Sequence, residues 1–142
     1  MPEKINRPLF ASERRWFPDP SRSGRDGLVA ISDELNTDIL LEAYSLGIFP
    51  WPFEESPILW FCPQNRGVLD FSDFHISRSL NKFLRNCSWQ VSFNRAFSDV
   101  LENCANSPRA GQVGTWIIES MKRAYLEFHR AGYAHSIEVW EG

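Results

Sequence analysis

Ala134-His135-Ser136-Ile137-Glu138-Val139-Trp140 is the stretch whose reading decides the fold class. His135, Ile137 and Val139 alternate with their neighbours, which is the period-2 pattern of a strand. The run passes into Glu141-Gly142, a turn signal, so it reads as the first arm of a hairpin whose partner is expected beyond residue 142. Working back from it, Gly132 is placed to stop a helix whose Ile118, Met121, Tyr125 and Phe128 recur at helical spacing. Ser107 to Gly114 reads as a loop. Before it, Phe97, Val100, Leu101 and Cys104 predict the buried face of another helix, with Asn94 as its cap. Trp89, Val91 and Phe93 alternate as a second strand, and Ser77 to Asn86 read as a helix with Ile76, Leu80, Phe83 and Leu84 at helical spacing, the last three on its core-facing side. Two strands and three helices from about Val68 onward predict an α+β or α/β lobe. They leave its sheet short of strands, the expectation for an incomplete chain.

The N-terminal part is organised differently. Phe17-Pro18-Asp19-Pro20 and Gly24 break any regular structure before residue 27. Leu28-Val29-Ala30-Ile31 is either a short strand or a buried connection. Asn36-Thr37 supply N-cap candidates for a helix through Leu46, with Leu35, Ile39, Leu40 and Ala43 as its apolar face and Gly47 at its end. Pro50, Pro52, Pro57 and Pro63 then predict an aromatic loop between Gly47 and Arg66, acting as a hinge. The expected division is a small N-terminal lobe over 1–66 and a second lobe over 67–142.

Composition bounds the function. Four of the fifteen basic residues, Arg78, Lys82, Arg85 and Arg95, but none of the eighteen acidic ones fall between Phe74 and Ser98. One basic patch on an otherwise acidic body suits a polyanion taken at one place only, and a net charge of −3 excludes binding over the whole surface. Cys62, Cys87 and Cys104 form no Cys-x-x-Cys pair and the three histidines are scattered, so no structural zinc site is expected. No run approaches the ~18 apolar residues of a membrane span. No signal sequence is evident either, and a cytoplasmic protein with reduced thiols is the expectation.

Four constellations carry chemistry. Gly47-Ile48-Phe49-Pro50-Trp51 with Pro57-Ile58-Leu59-Trp60-Phe61 fits an aromatic plug between lobes and equally an apolar ligand pocket with Trp51 held by rigid prolines. Arg78, Lys82 and Arg85 share one helix face, which is a solvated face or a phosphate contact; no acidic residue compensates it, and Arg95 extends it, which favours phosphate. Gly114-Thr115-Trp116 opens a helix, as a core anchor or as an oxyanion-binding N-terminus. His135 and Glu138 fit hydrogen-bonding roles better than general acid–base work.

These segments, in this order, resemble the leucyl/phenylalanyl-tRNA–protein transferase family. The resemblance rests on Phe17-Pro18-Asp19-Pro20, Gly27-Leu28-Val29-Ala30-Ile31, Gly47-Ile48-Phe49-Pro50-Trp51, Pro57-Ile58-Leu59-Trp60, His75-Ile76-Ser77-Arg78-Ser79, Gly114-Thr115-Trp116-Ile117 and the Ala134–Trp140 run. It implies a small N-terminal lobe followed by an incomplete GNAT-like acyltransferase lobe. It also implies a reaction in which Leu or Phe passes from its tRNA to the N-terminal Arg or Lys of a protein, marking that protein for degradation. No metal, acetyl-CoA or other cofactor is implied, and the protein is expected to act as a monomer without a membrane. Trp51, Trp116 and Tyr125 are the implied lining of the aminoacyl-adenosine pocket, with Arg78, Lys82, Arg85 and Arg95 toward the tRNA acceptor arm. The catalytic carboxylates and amide are expected beyond residue 142.

Three departures from the family pattern stand out. Ser32-Asp33-Glu34-Leu35 replaces the usual Gly-Gly-Asp-Leu, Phe61-Cys62-Pro63 the usual Trp-Ser-Pro, and Gln64-Asn65-Arg66 the usual acidic-Pro-Arg. Two other classes of function fit the residues: a non-catalytic module binding the tRNA end, and a protein-interaction lobe using its exposed aromatics.

Overall fold

Asn36 begins the first helix as its position predicts. Its side chain accepts from the Ile39 N–H at 3.0 Å, which satisfies one of the donors a helix start leaves free. The helix, α1 (Thr37–Ser45), buries Ile39, Leu40 and Ala43, and Gly47 at φ 74° lets the chain turn away after it. This computed structural model describes residues 16–52, 57–111 and 115–141.

Leu28 to Ile31 resolves as strand. β1 (Leu28–Ser32), β2 (Phe49–Pro52) and β3 (Ile58–Phe61) form an antiparallel sheet in the order β1-β3-β2. The aromatic loop expected between Gly47 and Arg66 is therefore corrected: two of the three strands lie within it. Prolines do not prevent this because β2 is an edge strand among the described residues, where missing N–H groups are tolerated. Pro50 and Pro52 sit opposite Trp60 and Ile58, and all four are buried on the inner face. Pleating sends Phe49, Trp51, Leu59 and Phe61 to the outer face.

Trp60 is wholly buried at the centre. Its ring meets the edge of Phe17 at 4.8 Å, and its indole N–H donates to the Ser32 hydroxyl at 2.8 Å. Ser32 also donates to the Glu34 carbonyl, so its hydroxyl bridges two elements. Gly27 is required where it stands: at φ 77°, a Cβ would lie 3.0 Å from the Pro63 backbone.

The fourth helix, α4 (Glu119–Arg130), buries Met121, Ala124 and Phe128 and ends at Gly132, φ 85°, as expected. Ala124 and Phe128 join Phe17, Ile39, Leu40, Ala43, Ile48, Ile58 and Trp60 in one core cluster. Trp116 lies three residues before α4 and does not begin it, which corrects the helix-start reading; Gly114 lies outside the described residues.

Between these elements lie α2 (Arg78–Asn86), β4 (Gln90–Phe93) and α3 (Phe97–Asn106), and β5 (Ile137–Trp140) ends the order. β5 is shorter than the expected Ala134–Trp140, and its partner is β4, antiparallel, with Val91 opposite Val139 and Phe93 opposite Ile137. One edge of β5 is thus paired by a strand already present. Leu80, Phe83 and Leu84 are not core-facing among the described residues. Each is nearly half exposed, and α2 buries nothing, although Phe83 meets the edge of Trp89 at 5.0 Å. α3 likewise buries no residue: Phe97, Val100 and Leu101 are half-buried and Cys104 is exposed. Both sheets are small and antiparallel, so the described residues form a mixed α+β fold.

Candidate functional site

The outer face of the three-stranded sheet is aromatic. Trp51 stands on it, 36% exposed, with Phe49 edge-on at 6.5 Å. Trp116, from the segment leading into α4, stacks on Trp51 with centroids 5.9 Å apart and planes 19° from parallel. Tyr125, two turns into α4, meets Trp116 edge-on at 6.4 Å. The three residues proposed from sequence to share a pocket are therefore contiguous. The two indoles rest against each other, so they offer a platform with an open face and leave no gap between them for a third ring.

Tyr125 also carries the site inward. Its hydroxyl hydrogen-bonds the Tyr44 hydroxyl of α1, and the Tyr44 ring stacks on Phe128 at 5.9 Å. Burial, then the neighbouring Tyr44, pushes the Tyr125 phenol up; burial raises Tyr44 as well, partly offset by their shared hydrogen bond. Both remain neutral hydrogen-bonding groups at physiological pH. Tyr44, Tyr125, Phe128, Phe97, Leu101 and His135 line a cavity of about 560 Å³. Tyr44 was missed in the sequence. It follows the buried Ala43 at the end of α1, and only the contact with α4 gives it a role.

The basic residues occupy a separate place. Arg78, Lys82 and Arg85 project from α2, exposed, and none of them makes an ion pair among the described residues. Arg95 precedes α3, its guanidinium 5.6 Å from the centroid of the Trp140 ring.

Glu138 is not poised as an acid or base. It is 6% exposed and accepts from the Ser136 hydroxyl at 2.5 Å, the Ser92 hydroxyl at 2.5 Å, the Ala96 N–H at 3.2 Å and the Arg95 N–H at 3.4 Å. Those donors, the two hydroxyls foremost, hold its carboxyl at about 2. Ala96, at the N-cap of α3, has no side-chain cap, and Glu138 instead fixes the backbone N–H groups of Arg95 and Ala96 that lead into the helix. Asn94 does not cap α3. At φ 56° it turns the chain, accepting from the Ser136 N–H and pairing with His135 Nδ1 at 3.0 Å. With its carbonyl oxygen so engaged, its amide nitrogen donates to Nδ1, which leaves the proton of neutral His135 on Nε2. Among the described residues no group of His, Cys, Asp and Glu is arranged to hold a metal ion, and no helix is long and apolar enough to cross a membrane.

Two family models match the chain: "Leucyl/phenylalanyl-tRNA protein transferase N-terminal domain" over residues 33–64, and "Leucyl/phenylalanyl-tRNA protein transferase" over 68–142. Proteins named leucyl/phenylalanyl-tRNA–protein transferase from Anaeromyxobacter sp. (strain Fw109-5) and Nitratidesulfovibrio vulgaris (strain DP4) are 48% and 46% identical to it. The alignments cover 89% and 94% of this chain, and 54% and 57% of those relatives. The chain belongs to the leucyl/phenylalanyl-tRNA–protein transferase family. It spans about half the length of the curated relatives it matches. For this transferase-family chain, the tryptophan platform joins the two matched segments: Trp51 comes from the first and Trp116 from the second.

Proposed function

We propose that this chain binds the aminoacyl-adenosine end of Leu- or Phe-charged tRNA, as the donor-binding part of an aminoacyltransferase that passes Leu or Phe to proteins with an N-terminal Arg or Lys. Acceptors so marked enter degradation. The single observation that carries the reading is the contiguous Trp51–Trp116–Tyr125 surface in a member of this family. An open indole face suits a nucleobase, which stacks on aromatic rings whatever its sequence context. The neutral phenols beside it suit hydrogen bonding to an ester or hydroxyl without introducing charge. Arg78, Lys82, Arg85 and Arg95 are assigned to acceptor-arm phosphates. The proposal includes a cytoplasmic monomer and a GNAT-like lobe beginning near residue 67.

Transfer itself is aminolysis of an ester. The attacking α-amine must lose a proton, and the tetrahedral oxyanion must be stabilised. Glu138 is committed to four hydrogen bonds and the two tyrosines are held neutral, so none of them serves as the base. We therefore assign binding, without transfer, to these 142 residues. The test mixes the chain with Leu-charged tRNA and an acceptor protein bearing N-terminal Arg, and also titrates a leucyl-adenosine amide. Saturable binding is expected, weakened by about 1–3 kcal/mol in Trp51→Ala as one stacked ring is removed, with no Leu transferred. Undiminished binding by folded Trp51→Ala refutes the site, and Leu transferred by the chain alone refutes the division of labour.

A further inference from the structure

β2 is held to its sheet by a single neighbour, β3. Pro50 and Pro52 have no N–H, so only Phe49 and Trp51 can donate from this strand, and among the described residues its far edge has no strand beside it. Yet β2 carries Trp51, whose ring must lie flat against Trp116 to form the platform. Burial of Ile48, Pro50 and Pro52 anchors the inner face. The outer face needs its own restraint.

Arg66 supplies contacts in the right place. It lies beyond β3, yet its Nη2 donates to the carbonyl of Gly47, just before β2, and stands 3.4 Å from the Cys62 Sγ. Its guanidinium carbon lies 5.9 Å from the Phe49 ring centroid. One side chain thus ties the turn entering β2 to the turn leaving β3 and covers the aromatic ring next to Trp51 on the same face. Phe49 in turn touches Trp51 at 6.5 Å and Phe61 at 6.4 Å. A planar guanidinium can donate to a carbonyl and lie over a ring at once, which an ammonium does less well. We infer that Arg66 is a positioning residue for donor binding: acting through Gly47 and Phe49, it holds the Trp51 ring in its stack on Trp116. This rests on the donor-site reading above, but the geometry it asserts exists without ligand.

The experiment follows from that independence. Stacked indoles couple excitonically, so the Trp51–Trp116 pair contributes a couplet to the far-UV circular dichroism, identified as the part that Trp51→Phe removes. The full chain is compared with Arg66→Gln, which loses the cation, and Arg66→Lys, which keeps charge but not the planar fork. Arg66→Gln is expected to lose most of the couplet and to bind leucyl-adenosine amide about three- to tenfold more weakly, the scale of one cation–π and hydrogen-bond clamp. Arg66→Lys should fall between the two. The ligand carries no phosphate, so a weakened affinity cannot reflect a direct contact of Arg66 with an RNA backbone. The urea midpoint is recorded for each protein, because a purely structural arginine would lower it and leave the couplet of the folded fraction intact. A couplet unchanged in folded Arg66→Gln overturns the inference whatever the ligand does. A missing couplet in a chain that never binds the amide keeps the positioning role and overturns the donor-site reading instead. If Arg66→Gln fails to fold, the couplet in Arg66→Lys decides: full wild-type intensity there overturns the inference.

Discussion

Replacing Trp60 with Ala isolates what holds the three-stranded sheet. Trp60 sits in the central strand, opposite Ala30 of β1 on one side and Pro50 of β2 on the other. It has no exposed surface and gives its edge-to-face contact to Phe17 and its N–H to Ser32. Truncation to Ala removes the whole indole from a packed cluster, for which about 3–5 kcal/mol is the expected loss. Domains of this size have only ~5–15 kcal/mol in total, so the variant should be marginal. Trp60→Phe separates the terms. It keeps an aromatic ring against Phe17 but loses the indole donor. The Ser32 hydroxyl retains its bond to the Glu34 carbonyl and is not orphaned. The hydrogen bond then contributes only about 1 kcal/mol, and the smaller ring adds a similar amount. Urea unfolding followed by far-UV circular dichroism reads both. With a slope of up to about 3 kcal/mol per M, the Ala variant should move the midpoint by at least about 1 M. If Trp60→Ala costs less than Trp60→Phe, or the two are equal, the core does not depend on the indole volume and the reasoning fails.

Two further outcomes follow. The carboxyl of Glu138 is held at about 2 in the folded chain, against an ordinary value near 4.5, so its contribution to stability is fully present above the ordinary value and is lost as pH falls through about 2; Glu138→Gln should flatten the stability–pH profile between pH 4.5 and 2, and a profile parallel to wild type would show that the hydrogen bonds from Ser136 and Ser92 do not hold the carboxylate. Changing Arg78, Lys82 and Arg85 together to Gln should reduce the log–log salt dependence of tRNA binding by roughly 0.7–0.9 for each phosphate no longer neutralised, while circular dichroism shows the fold retained because α2 buries nothing; an unaltered slope would make this a solvated face.

The sequence made local structure legible where the deciding interaction is local. Asn36 reaches the Ile39 N–H three residues on, and Gly47 and Gly132 adopt the positive φ that helix ends favour, so α1 and the end of α4 could be placed from the residues alone. It failed where the partner is distant. The prolines of β2 read as breakers because nothing in Phe49–Pro52 reveals that β3 will lie on one side and, among the described residues, no strand on the other. The entry to α3 fails as a local reading for the same reason, since the acceptor of the Ala96 N–H is Glu138, forty-two residues away. The amphipathic pattern of α2 correctly gives a face that wants covering, but a pattern names no cover, and Leu80, Phe83 and Leu84 stay half exposed among the described residues. For the candidate site, the spacing of Trp51 and Trp116 carries no sign of contact. Family resemblance brought them together, and neither route suggested Tyr44.

The stacking of Trp51 on Trp116 couples the site to the core. Trp51 is carried by a sheet whose inner face is packed by Trp60, Ile58 and Pro50, while Trp116 and Tyr125 are carried by the approach to α4 and by α4 itself. The rings can meet only while α4 is docked, and the docking surface is the core: Ala124 and Phe128 lie in the same cluster as Ile39, Ala43 and Trp60. Tyr44 reinforces the joint from α1, through its hydroxyl to Tyr125 and its ring to Phe128. A ligand that stacks on the assembled tryptophans therefore binds the docked arrangement and not a chain in which α4 has come away, so by linkage it must stabilise the docking it requires. Core substitutions such as Trp60→Ala then weaken binding without touching the ligand, whereas Arg66 acts on one face of β2 through Gly47 and Phe49. The difference between those two effects, one following the unfolding midpoint and the other independent of it, is what separates residues that build the platform from the residue that aligns it.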